Sequence, residues 1–292
     1  DGASGTTNTQ LNCKSSEGFG ANHVWQVQVV TQTNGPGIEG DATSDASQTT
    51  SYSVPVITNI AVDTTVTPSP AFDKEHLPTK GEHYLVLTGT NMGPKNTVLQ
   101  GYYGTSSDSV YTAKNCIVTV QNTEVKCYTI EGIGFSHTWK LGRKNHEWNG
   151  KMSASDVITS YDSPTLTSVA VGSANGGKVM STWGRENIVI VGENFGPAFD
   201  RSSTTTPSNP GNLTLEWNNN DAITCTGNQH CYGYAQPLSC TVSIAHEQLT
   251  CVSLPGVGMS HRFTVTVAGQ SSNQSPANDR LRYHVPVISG IK

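Results

Sequence analysis

The sequence predicts an all-β protein built as a row of two-sheet sandwiches. Three observations carry this reading. Charged residues make up only 13% of the 292-residue chain, against about a quarter in a typical protein, and Gly, Ser, Thr and Asn take their place. Short apolar or alternating runs bounded by Gly, Pro, Asn and Ser recur along the chain, and none of it reads as helix. The same landmarks also return at a domain-sized interval.

The first landmark is Cys, four residues, Gly-x-Gly, two residues, His, one residue, aromatic. It occurs as Cys13-Gly18-Gly20-His23-Trp25, Cys127-Gly132-Gly134-His137-Trp139 and Cys251-Gly256-Gly258-His261-Phe263. The runs Trp25–Val29 and Phe263–Val267 alternate, as half-buried strands do. The second landmark is Tyr-x-x-Pro before an apolar run: Tyr52–Pro55, Tyr161–Pro164 and Tyr283–Pro286. The third is a Gly-x-Asn-[Met/Phe]-Gly-Pro turn at Gly89–Pro94 and Gly192–Pro197. The runs before it, Tyr84–Leu87 and Ile188–Val191, are continuously apolar, which predicts central strands covered on both faces.

Pro55, Pro164 and Pro286 are spaced by 109 and 122 residues, each about one ordinary domain. Residues 55–163 and 164–285 are expected to be complete units. Residues 1–54 carry the second half of a unit, and 286–292 the first strand of another. Either the stretch is a window on a longer array, or its two broken ends complete each other between molecules.

Cys116 and Cys127 are 11 residues apart, as are Cys240 and Cys251, and each pair brackets a hairpin. An even number of intervening residues lets the two cysteines face one another. Cross-strand disulfides follow, worth ~2–3 kcal/mol for loops this short. Cys225 and Cys231 form a third pair inside a loop. Zinc would need ligands clustered at closer spacing. Repeated cysteine pairs point to an oxidising, extracellular setting. The counterpart of Cys13 would fall at Gly2, so its partner is either missing from this stretch or on another molecule.

The Pro-led strand, the Gly-x-Asn-[Met/Phe]-Gly-Pro turn and the closing Tyr-x-x-Pro resemble an IPT/TIG domain, an immunoglobulin-like β-sandwich. The resemblance covers residues 55–285 in two copies, and 1–54 and 286–292 in part. The extra cysteine pair and the Gly-x-Gly-x-x-His-x-Trp segment resemble the long IPT/TIG arrays of large eukaryotic cell-surface proteins, fibrocystin-like ones included. The resemblance implies an extracellular module with no enzyme activity of its own. The intracellular branch of the family, found in transcription factors, fits neither the paired cysteines nor the absence of a Lys/Arg run.

Candidate sites are few. The Gly-x-Gly segments lack a third glycine and precede strands, whereas a nucleotide loop needs a helix there. They read as turns that need positive φ. The three motif histidines lie 114 and 124 residues apart on different units, so they cannot converge on one ion. Each shares a strand face with its aromatic, inward in the first and third copies, and is expected to bond a backbone carbonyl. Asn218–Asp221 reads as a hairpin turn and lacks the spacing of a calcium loop. No catalytic residue, cofactor or metal is expected. Covalent glycans are, at the sequons Asn212-Leu-Thr214 and Asn273-Gln-Ser275, and by O-linkage at Thr67, Ser69, Thr204, Thr205 and Thr206. The second unit is longer, with 46 residues from Asn194 to Cys240 against 25 from Asn91 to Cys116. That insertion holds Asn212, Trp217, Cys225 and Cys231, and reads as a contact surface or a decorated loop.

A net charge of −5 with no basic run excludes nucleic acid, and no stretch of ~20 apolar residues offers a membrane span. The reading is a non-enzymatic extracellular structural glycoprotein, part of a fibre, filament or surface coat. Its partner would be another copy, with strand 284–292 added head-to-tail to a neighbour's 1–54, or further repeats of the same chain. Two alternatives stand beside it. One is the stalk of a receptor or adhesin ectodomain. The other is a carbohydrate-binding region of a secreted enzyme, with Tyr102, Tyr103, Trp148 and Trp217 stacking on sugar.

Overall fold

The computed structural model describes residues 10–29, 42–66, 71–105, 111–143, 153–198, 213–219 and 240–291. Among these residues every regular element is a strand. The first four are short: β1 (His23–Trp25), β2 (Gln28–Val29), β3 (Ala42–Thr43) and β4 (Gln48–Thr50). They form two antiparallel pairs, β1 with β4 and β2 with β3.

Seven strands follow: β5 (Val56–Val62), β6 (Tyr84–Thr90), β7 (Val98–Gly104), β8 (Tyr111–Val120), β9 (Glu124–Tyr128), β10 (His137–Arg143) and β11 (Ser153–Thr159). The remainder are β12 (Thr165–Val171), β13 (Val179–Met180), β14 (Asn187–Glu193), β15 (Thr214–Asn219), β16 (Cys240–Ile244), β17 (Gln248–Val252), β18 (His261–Val267), β19 (Gln270–Ser271) and β20 (Arg282–Tyr283).

The last group forms sheets ordered β12-β14-β17-β16 and β15-β18-β19, with a small parallel pair β13-β20. These are the ABED and CFG sheets of an immunoglobulin constant-type sandwich. The earlier group has the same order run together, β11-β10-β7-β8-β9-β6-β5. The join is β8, whose ten residues pair with both β7 and β9. A bulge at Asn115, with φ 51°, bends it from one sheet to the other. The ends then meet, β11 lying against β5.

Side-chain alternation explains which face each strand buries. In β18 His261, Phe263, Val265 and Val267 point inward and the residues between them are half-exposed. β14 buries Ile188, Val189 and Ile190 on both faces, as its unbroken apolar run predicts. β6 departs from that expectation and buries only Leu85 and Leu87. Its outer face lies open, where Tyr84 packs on Tyr128 at 4.8 Å between ring centres with the planes tilted by 59°.

Two separate cores result, one over Ile57–Tyr161 and one over Leu166–Tyr283. In the first, Trp139 stacks on Tyr103 at 4.4 Å, Tyr103 stacks on Tyr111 at 5.1 Å, and the Trp139 indole N–H donates to Thr159 Oγ1 at 2.9 Å. In the second, the matching pair is Phe263 and Leu281, both fully buried and needing no hydrogen bond. The first motif copy corrects the expectation of an inward face. Trp25 is 43% exposed, because no second sheet covers β1 among the described residues.

Disulfides join Cys116 to Cys127 and Cys240 to Cys251. The first bridge is buried in its core, and a Cβ on Gly101 would fall 2.6 Å from Cys116 Sγ. Replacing Cys240 and Cys251 together by Ala is expected to lower the stability of the second sandwich by about 2–3 kcal/mol. Hydrogen exchange would show it as lost protection in β17 and β18 with β6 and β9 unchanged.

Candidate functional site: the joint between sandwiches

The Cys-Gly-Gly-His landmark builds a loop at the end of each sandwich, and the same contacts build it three times. The ring of the Tyr-x-x-Pro tyrosine lies across the first glycine. A Cβ there would come within 2.8 Å of Tyr52 at Gly18, 2.6 Å of Tyr161 at Gly132 and 2.6 Å of Tyr283 at Gly256. The tyrosine hydroxyl donates to the carbonyl three residues after the cysteine: Tyr52 to Ser16 at 2.6 Å, Tyr161 to Ile130 at 2.6 Å, Tyr283 to Leu254 at 2.8 Å. Its backbone N–H donates to the second glycine's carbonyl at 2.9 Å in every copy. That second glycine has φ of 109°, 95° and 107°, a region costly for any other residue.

The motif histidine closes the loop from the other side. His23 Nε2 lies 3.1 Å from the Phe19 carbonyl, and His137 Nε2 lies 3.1 Å from that of Ile133. His261 takes the same kind of backbone hydrogen bond at Val257. Each ring stands edge-on to its tyrosine, at 5.4, 5.6 and 5.4 Å. Burial pushes His137 and His261 below the usual imidazole range, so the neutral form holds the loop. What the loop presents is the side chain between its glycines: Phe19, Ile133 or Val257.

The receiving surface is the Gly-Pro turn of the following sandwich. Asn91 and Asn194 adopt φ of 59° and 62° there, and Gly93 and Gly196 follow at 90° and 87°. Asn91 Nδ2 donates to the Val54 carbonyl at 3.2 Å, and Asn194 Nδ2 to that of Ser163 at 3.3 Å. Both carbonyls immediately precede a linker proline, so the turn grips the linker. Phe19 then packs on Gly93, 3.5 Å from where a Cβ would stand. Ile133 packs on Gly196, where a Cβ would come 2.4 Å from Ile133 Cγ2. Ile133 thereby belongs to the rim of the second core although it lies in the first sandwich.

Beside this contact, the hairpin turn between the disulfide cysteines meets a glutamate four residues after the preceding motif cysteine. Gln121 donates to Glu17 in the first joint. In the second, His246 Nε2 stands 3.4 Å from Glu131 Oε2. His246 is 6% exposed, and its Nδ1 lies 2.9 Å from the buried hydroxyl of Thr79. The tautomer protonated at Nε2 turns its N–H toward Glu131 and leaves Nδ1 beside the Thr79 hydroxyl, which also stands 3.3 Å from Asn194 Oδ1. Lys80 pairs with Glu247 at 2.8 Å on the exposed rim, where solvent screens the pair. Gln270 Nε2 donates to the Tyr161 carbonyl at 2.9 Å, and Phe135 covers Gly269.

The other predicted residues are scattered. Cys13 is exposed and unbonded. Asn273 is exposed, and its Oδ1 accepts from the Leu166 N–H at 3.1 Å. Ser275 is fully buried, its hydroxyl accepting from the Phe263 N–H. Asn212, Cys225, Cys231, Thr67, Ser69, Thr204, Thr205, Thr206 and Trp148 lie outside the described residues. Of Trp217 only the backbone is described, opposite Phe263. Tyr103 corrects the sugar-stacking expectation, because it points inward from β7 and is fully buried between Trp139 and Tyr111. Among the described residues no group of three or more His, Cys, Asp or Glu could hold a metal ion. No helix there is long and apolar enough to cross a membrane. Thr79, Lys80 and His246 escaped the sequence reading. The signal that could have found the joint is the Glu-Gly-x-Gly spacing shared by Glu17 and Glu131.

No family profile matches the chain, and no curated protein matches it. Solved structures similar to it include the extracellular region of Plexin A4, at 14% identity and TM-score 0.29, covering 79% of this chain and 18% of that one. The surface glycan-binding protein PbSGBP-B from Prevotella bryantii is similar at 13% identity and TM-score 0.41, covering 77% of this chain and 42% of that one. The D0-D1 domain of Intimin is similar at 10% identity and TM-score 0.22, covering 78% of this chain and 99% of that one. The chain thus spans less than half the length of the first two.

Gly196→Val sets a branched side chain against Ile133 at positive φ. It is expected to uncouple the sandwiches, so that NMR relaxation gives two rotational correlation times where the native chain gives one. A second expectation concerns pH. Burial depresses His246, with the Glu131 carboxylate opposing only in part. A depressed imidazole means the unfolded or opened state binds the proton more readily, so stability falls as pH drops below about 6.5. Lys80, Glu131 and Glu247 are the charged groups that face it. His246→Asn, which tolerates the φ of 65° as Asn122 tolerates 64°, is expected to flatten the pH dependence of joint opening measured by the same relaxation rates.

Proposed function

We propose that the chain is a non-enzymatic structural segment of an extracellular fibre or surface coat, built as an array of IPT/TIG-like sandwiches and carrying glycans. Its units are 55–163 and 164–285, preceded by the second half of a unit at 1–54 and followed by a first strand at 286–292. The observation that carries the reading is the joint. Phe19 on Gly93 and Ile133 on Gly196 are the same contact made twice, at successive joints, with the same flanking parts. A contact that repeats head to tail without closing generates a rod or filament.

The side chains that tempt a catalytic reading are occupied by this architecture. The three motif histidines and three tyrosines hold loops, and His246 lies inside a joint. The disulfides suit an oxidising compartment. Exposed apolar residues at both ends, Val24 and Trp25 in β1 and Val287, Ile288 and Ile291 near the other end, suit addition of strand 284–292 to a neighbour's 1–54. Asn273 keeps its amide nitrogen clear of the bond made by Oδ1, as a glycan acceptor must.

Negative-stain imaging and size-exclusion chromatography of the chain across a concentration series test this reading. Elongated particles that lengthen into filaments are expected. A compact monomer at every concentration would overturn the self-assembling fibre. Glycopeptide mapping of native material is expected to find sugar at Asn212 or Asn273.

A further inference from the structure

The third copy of the loop is built like the other two, yet nothing among the described residues covers it. Tyr283 lies across Gly256, donates to Leu254 and bonds the Gly258 carbonyl, as its counterparts do. Val257 nevertheless stands 58% exposed, and Met259 58%. Their counterparts Ile133 and Phe135 are set against Gly196 and Gly269 of the next sandwich. Trp183 is 83% exposed, an extreme for so large a ring. It occupies the place of Lys80: Gly184 and Gly81 follow them at φ 69° and 68°, each tucked against the matching backbone carbonyl of Leu254 or Ile130. Pro255 takes the place of Glu131.

Four positions that form one side of the second joint therefore recur here as Trp183, Pro255, Val257 and Met259. The two that carried charge, Lys80 and Glu131, have become apolar. The strand that follows continues the pattern. Ile288 and Ile291 fall where Ile57 and Ile60, and Leu166 and Val169, enter their cores. They are 81% and 93% exposed.

We infer that Trp183, Pro255, Val257 and Met259 form the docking half of a third, apolar joint, whose occupant is another sandwich of this class led by strand 287–291. Its Gly-Pro turn packs on Val257, and its disulfide hairpin places neutral side chains opposite Pro255 and Trp183. The two Gly-x-Asn-[Met/Phe]-Gly-Pro turns among the described residues do not supply it, since Gly93 and Gly196 already carry Phe19 and Ile133. The inference rests on the array reading for the class of occupant. It also refines that reading, because a neighbour's 1–54 holds no Gly-x-Asn-[Met/Phe]-Gly-Pro motif to pack on Val257.

The test extends the full chain after Ile291 with residues 61–163, whose hairpin carries the neutral Gln121, Asn122 and Thr123. Oxidation by dilute peroxide is followed at each methionine by peptide mapping, at a concentration where the chain is monomeric. Thioether oxidation tracks exposure, so Met259 is expected to react at least about fivefold more slowly in the extended chain, while a further Val257→Asp change restores the fast rate. Buried Met92 and Met180 are the internal controls, and protection of the added Met92 reports that the added sandwich has folded. Should that sandwich not fold, extension with residues 170–285 serves in its place, the added copy carrying Glu247→Gln and Met259→Leu so that only the original Met259 is read and the added Met180 reports folding. Equal Met259 rates with a folded addition would overturn the inference. So would protection of Met259 in the unextended chain on concentration, which assigns the face to a second copy. The comparison of extended and unextended chains is made on monomers and does not depend on whether filaments form, so the fibre reading stands or falls separately.

Discussion

One contact sets the ends of these sandwiches: a tyrosine ring laid across a glycine. Without a side chain at Gly18, Gly132 or Gly256, the ring reaches the backbone, and its hydroxyl donates to a loop carbonyl just past a strand end. The tyrosine belongs to the linker and the glycine to the loop. The same contact therefore fixes where the next sandwich begins and where the apolar knob points. Tyr161 makes the tie strongest. Its hydroxyl lies 2.7 Å from that of Tyr103, and burial pushes Tyr103 up to about 12, so both phenols stay neutral and hydrogen-bonded.

From that tie the joint follows in steps. A fixed loop holds Ile133 outward, where water would be its only neighbour if nothing docked. Gly196 removes the one side chain that would block it, and Asn194 locks the turn to the linker carbonyl. Apolar burial then supplies the attraction, at ~25 cal/mol per Å² removed from water. The polar members choose the partner. A carboxylate facing a buried imidazole can be satisfied by few surfaces, and a mismatched hairpin would leave His246 or Glu131 unpaired.

The strands, the sandwich class and the disulfide hairpins were legible because each leaves a short-range mark: alternation, turn glycines, a spacing of 11. The loop was half legible. The repetition of Gly-x-Gly-x-x-His was plain, and a backbone carbonyl as the histidine's partner follows from its place at a strand end. The joint was not legible, because its pairs are distant in sequence: Thr79 with His246, Gln270 with Tyr161, Ile133 with Gly196. Face assignments failed where they depended on a neighbouring sheet. Trp25 alternates like Phe263, but among the described residues only Phe263 has a sheet opposite it.

The exchanges between copies show which parts are fixed and which are tuned. Tyrosine, both glycines and histidine are the same in all three loops, because each is tied to another of the set by ring contact or hydrogen bond. The pair behind the loop changes in concert. Trp25 bonds Thr50, Trp139 bonds Thr159, and the third copy replaces both members with Phe263 and Leu281. Removing only the threonine would strand a buried indole N–H, a cost of about 1–3 kcal/mol, so the two positions move together. Position 255 and position 183 obey the same rule at the surface. Losing Glu131 alone would leave its partner imidazole facing nothing. Losing both charged partners, as Pro255 and Trp183 do relative to Glu131 and Lys80, yields a consistent apolar face. Joint identity is thus written in a few outward positions on a loop whose inward geometry does not vary.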